Sequence, residues 1–139
     1  MKKTTILDLI SRKLAPFMLL FGLYLLTYGH MSPGGGFQGG VVIASGVILL
    51  FVAQGVEATA SLFPFRSLSL LEAGAFLLLV AAGLAGLAAG AGFLGNPIAG
   101  VDVRMVPRAS MILVYNVLIG LKVGAGISFM CMYLFREDR

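Results

Sequence analysis

Charge is what this sequence has least of. Asp, Glu, Lys and Arg make up 12% of its 139 residues, about half the share of a soluble domain, whereas 59% are apolar or aromatic. So few charged side chains do not cover a water-facing surface, which argues against a soluble enzyme. Cysteine and histidine are each represented once, by Cys131 and His30. A lone cysteine closes no intramolecular disulfide, and the two residues together fall short of the four ligands of a structural zinc site. With no metal-ligand set and no nucleophile beside a base, the chain reads as a non-enzyme that needs neither metal nor cofactor. Its net charge is +4, but no basic run is longer than pairs such as Lys2-Lys3 and Arg12-Lys13, which argues against nucleic acid as a partner.

In place of charge there are long uncharged runs. Between Lys13 and Glu57 lie 43 residues without an ionised side chain, and between Glu72 and Asp102 another 29. A membrane-crossing helix takes about 20 residues, because the hydrocarbon is about 30 Å thick and the rise is 1.5 Å per residue. The first run is twice that length and must turn once. Its turn falls in the segment from His30 to Gly40, which holds Pro33 and five glycines, since proline removes a backbone donor and glycine resists helix. The lysines before the first apolar stretch have the outline of a signal peptide, but no small-residue cleavage site precedes His30, so the stretch reads as a retained helix.

The expectation is an all-α integral membrane protein. It is one domain, residues 1–139, with four transmembrane helices over about 12–28, 37–54, 73–94 and 109–135. Four crossings put both termini on one side. That side collects Lys2, Lys3, Arg12, Lys13, Arg66, Arg136 and Arg139, against Arg104 and Arg108 opposite, so both termini are expected in the cytoplasm.

Lys122 is the most informative residue. Thirteen uncharged residues separate it from Arg108 and thirteen more from Arg136, too deep for easy snorkelling to either surface. A cation there costs at least ~2.5–3.5 kcal/mol and faces protein or a wet cavity. Two readings stay open: a station on an ion path, or a structural lysine paired with a carboxylate. Gly120 and Gly124 lie about 160° and 200° around the helix from it, so close packing is expected on one flank and a polar contact on the other, with another subunit as a neighbour. Glu57 and Glu72, at the cytoplasmic ends of helices 2 and 3, are either the mouth of a cation or proton path or ordinary interfacial carboxylates. His30 is a proton relay or an interfacial cap. The glycine-rich turn has no Lys followed by Ser or Thr, so it is no nucleotide loop. It breaks a helix near lipid, where freed backbone groups must be buried in protein or reach water.

The string Pro33-Gly34-Gly35-Gly36-Phe37-Gln38-Gly39-Gly40, after an apolar first helix, resembles the MnhB or MrpB type of small subunit found in multisubunit sodium/proton antiporters. The four-helix plan extends the likeness over essentially the whole chain. Related subunits occur in the antiporter-like modules of membrane-bound hydrogenases and sulfur reductases. The resemblance implies a small multi-pass subunit of a prokaryotic plasma membrane, beside large antiporter-like and small accessory subunits in the lipid bilayer. It implies that Pro33 to Gly40 serve subunit packing or shape an ion path. The rivals are a self-sufficient homo-oligomeric exporter and a membrane enzyme, the latter with almost no support in the residues.

Overall fold

A computed structural model describes residues 5–29, 31, 34–95 and 110–137 of the chain. Among them the elements are α1 (Thr5–Tyr28), α2 (Gly36–Gln54), α3 (Val56–Leu62), α4 (Phe65–Ala88) and α5 (Ser110–Glu137), with no strand. Four of the five are long and apolar enough to cross a membrane: Ile6–Tyr28, Gly36–Gln54, Phe65–Ala88 and Met111–Arg136. The chain is an all-α, multi-pass cell-membrane protein. His30, Pro33, Asp102, Arg104 and Arg108 lie outside the described residues.

The helix limits differ from the expected ones where polar residues were taken as ends. α1 begins at Thr5 rather than near 12, because its polar opening is itself helical: Arg12 Nε pairs with Asp8 Oδ1 at 3.1 Å one turn away. α4 begins at Phe65 rather than near 73. Pro64 is extended and precedes the first turn, and Arg66, Ser67 and Ser69 are carried inside the helix. It ends at Ala88 rather than near 94. There the Ala91 N–H donates to the Gly86 carbonyl and the Gly90 N–H to Leu87, each at 3.0 Å, while Gly90 takes φ 73°. This is the Schellman arrangement, in which a left-handed glycine closes the last turn. The connection after α2 holds one further short helix, α3, entered through Gly55 at φ 94°, ψ 167°.

In space the spans stand in a row, α1 on α2, α2 on α5, and α5 on α4, with α5 the one substantial neighbour of α4 among the described helices. Glycine sets the spacing. A Cβ on Gly39 would lie 2.8 Å from the Gly22 carbonyl oxygen, and one on Gly22 3.0 Å from that of Gly39, which brings α1 and α2 together. On the other face of α2, a Cβ on Gly40 would lie 2.6 Å from the Gly120 oxygen, and one on Gly120 3.0 Å from the Gly36 oxygen. Lipid tails are as apolar as leucine, so helices in a membrane gain by approaching backbone to backbone, which small residues permit. The end of the row near α3 is sealed by Val47, Phe51, Leu68, Ala125 and Met132. Outward faces are apolar, as at Phe17, Leu20, Leu77 and Leu134, and suit acyl chains.

Candidate functional site

α5 is the helix on which polar and close-packing functions divide. Gly120, Gly124 and Ser128 recur every fourth residue and are buried. Ser128 Oγ donates back to the Gly124 carbonyl at 2.7 Å, so its hydroxyl adds no unpaired group to the crossing. Two residues around the helix, Lys122 turns to α4. Its Nζ lies 3.7 Å from Glu72 Oε1 and 5.6 Å from the centre of the Phe76 ring. Glu72 and Phe76 are one turn apart on α4, so one face of that helix presents a carboxylate and an aromatic face to the same ammonium.

Gly126, one turn beyond Lys122, makes room for the acid. A Cβ there would lie 3.1 Å from Glu72 Oε1. At an effective dielectric of about 20, unit charges about 4 Å apart attract by about 4 kcal/mol. This is the order of the ~2.5–3.5 kcal/mol that each charge costs at mid-membrane, so pairing offsets much of the expense. The offset is incomplete, because the side chains are 37% and 33% exposed. The separation also exceeds hydrogen-bonding distance. Among the described residues neither group takes part in a hydrogen bond.

Of the residues singled out in the sequence, Lys122 and Glu72 are thus brought together. Glu72 is not at the end of a span, as expected, but seven residues inside α4. Glu57 is apart from it, exposed on α3. Both flanks of α5 are occupied by the chain itself, the glycine face by α2 and the lysine by α4, where a neighbouring subunit was expected. The break before α2 is likewise served from within, because Asn116 Oδ1 on α5 accepts the Gly36 N–H at 3.3 Å. That N–H is one of the donors a helix start leaves without an intrahelical acceptor. Asn116, Phe76 and Gly126 were not foreseen. Gly126 and Asn116 had a signal, one standing a turn beyond the mid-span lysine and the other being the one amide on α5.

A row of four spanning helices with a carboxylate and an ammonium facing each other inside it defines a polytopic membrane protein with an intramembrane ion pair. The chain belongs to the MnhB family, since the family described as "Domain related to MnhB subunit of Na+/H+ antiporter" matches residues 6–129. It is 34% identical over 131 residues to the uncharacterized protein MJ1307 of Methanocaldococcus jannaschii, covering 90% of this chain and 50% of that protein. To the MnhB-type subunit of the Na(+)/H(+) antiporter of Bacillus subtilis it is 37% identical over 89 residues, 64% of this chain and 62% of the relative. To the putative antiporter subunit mnhB2 of Staphylococcus aureus strain Newman it is 41% identical over 76 residues, 52% of this chain and 54% of the relative. The chain therefore spans only half to three-fifths of the length of these relatives.

Proposed function

We propose that this chain is a non-catalytic membrane subunit of a multisubunit sodium/proton antiporter, working either in a stand-alone antiporter or in an antiporter-containing respiratory complex. It packs against other subunits and contributes to the translocation of cations or protons. In this reading both termini are cytoplasmic and the partners are large antiporter-like and small accessory membrane subunits. The observation that carries the proposal is the Lys122–Glu72 pair, held inside the spans at 3.7 Å with a third of each side chain open. A pair serving only to bind α4 to α5 gains most from being closed and hydrogen-bonded. The names of the relatives in Bacillus subtilis and Staphylococcus aureus support the same reading.

The test is made on the assembled complex in everted membrane vesicles. Lys122→Met is expected to lower coupled sodium and proton movement while the complex still assembles. Wild-type flux in this variant removes the lysine from transport. Purification separates the proposal from a self-sufficient exporter: co-purification with large hydrophobic subunits supports it, and a homo-oligomer that transports alone in liposomes rejects it.

A further inference from the structure

We infer that Glu72 and Lys122 form a two-residue proton relay, so that this subunit handles the proton half of the exchange; the inference rests on the reading of the chain as an antiporter subunit. Glu72 stands about 10 Å along α4 from Phe65 at 1.5 Å per residue. Lys122 stands about 18 Å along α5 from Ser110, near its middle. The pair therefore joins the end of the row near α3 to the middle of the spans.

Charge accounting assigns it a proton. The ion pair is neutral as a unit, and the proton can pass from Nζ to Oε1. The N–H bond breaks, an O–H bond forms, and the product is an amine beside a carboxylic acid. No net charge appears in the low-dielectric region at that step, whereas adding any other cation to the intact pair leaves an uncompensated positive charge there. Among the described residues no second group balances such a charge. Of the helices against α5, α2 has no ionisable side chain, α1 has charges only at Asp8, Arg12 and Lys13, in its first nine residues, and α3 has only Glu57. α4 adds only Arg66, in its first turn, to Glu72. Glu72 is the charge that faces the lysine. The open third of each side chain is where the proton is delivered and taken away, and the absence of a hydrogen bond between the two leaves both free to exchange partners.

The deciding variant is Lys122→Arg, measured in the intact complex. Arginine keeps the positive charge beside Glu72 and above Phe76 but does not lose its proton. The complex is expected to assemble while sodium-driven proton movement in everted vesicles falls by at least about tenfold. Exchange at the wild-type rate overturns the relay, because a static charge suffices for it. Where Lys122→Arg fails to assemble, the doubly neutral Glu72→Gln/Lys122→Met chain takes its place. The same loss is expected, and wild-type exchange again overturns the inference. Failure of both to assemble assigns the pair to folding and also overturns it. Deleting the chain keeps the two claims apart. A complex without it that exchanges at full rate rejects the antiporter-subunit reading, whereas loss on deletion with full exchange by Lys122→Arg rejects the relay alone.

Discussion

Lys122 of α5 and Glu72 of α4 face each other at 3.7 Å across the one helix contact that ties α4 into the row. Their separation in sequence spans two helices and the loop between them, so the ion pair is a product of the fold and absent from any local segment. Their being together makes the energetics of the two residues inseparable.

That coupling gives the first prediction. Glu72→Gln leaves an ammonium without its counter-charge, and Lys122→Met leaves the carboxylate so. Each should cost about 1–3 kcal/mol, the range for stranding a polar partner, because the open third of each side chain tempers the loss. The double variant should recover most of the loss, which a double-mutant cycle on thermal unfolding of the detergent-solubilised chain measures. Additive losses would mean that the two charges do not interact.

The glycines predict opposite responses to one added methyl group. A Cβ on Gly40 meets the Gly120 carbonyl at 2.6 Å, a backbone atom that cannot turn aside, whereas nothing lies within 4 Å of a Cβ on Gly74. Gly40→Ala should therefore cost about 1–3 kcal/mol by overpacking the α2–α5 crossing. Gly74→Ala, in the middle of α4, should gain about 0.5–1 kcal/mol from reduced backbone freedom in the unfolded chain. Unfolding midpoints that move in opposite directions are the expected result.

Gly55 carries the corner between α2 and α3. Its φ of 94° with ψ of 167° belongs to a region that essentially only glycine enters, and a side chain there costs about 1–3 kcal/mol. Space is not the obstacle, as nothing lies within 4 Å of a Cβ. Gly55→Ala and Gly55→Val should thus be destabilising to a similar degree, and a steep dependence on side-chain size would point to crowding instead.

The parts of this architecture that depend on composition were legible in the residues, and those that depend on pairing were not. Uncharged length sets how many times the chain crosses, and Pro33 with its glycines marks where the first run turns. The start of α4 was misplaced because Arg66 and Glu72 look like interfacial charges when read singly. Only a helix continuing through them puts Glu72 within reach of Lys122. Asn116 reads as one amide among apolar neighbours until α2 is set against it. The glycine face of α5 opposite Lys122 followed from the 100° step per residue, but that α2 of the same chain would fill it did not.

Asn116 gives a prediction about the start of α2. Its Oδ1 accepts the Gly36 N–H at 3.3 Å, and an orphan donor in hydrocarbon has little water to turn to. Asn116→Leu should cost about 0.5–1.5 kcal/mol and should speed amide exchange at Gly36 and the residues after it. Asn116→Asp keeps an acceptor in place and should retain the protection. Equal exchange in both variants would show that the N–H finds its acceptor elsewhere.

Orientation follows from charge and is testable by fusion. Arg12, Lys13, Arg66 and Arg136 belong to the side that includes the α2–α4 connection, and basic residues flanking spans are retained in the cytoplasm. Green fluorescent protein joined after Arg139 should therefore fluoresce, since it folds on that side, and alkaline phosphatase at the same place should be inactive. Replacing Arg12, Lys13 and Arg66 with Gln removes part of the asymmetry, and the same reporters should then record a mixed population. Phosphatase activity in the unaltered chain would place the Glu72 end of the pair toward the outer face and reverse the direction in which a proton meets Glu72 before Lys122.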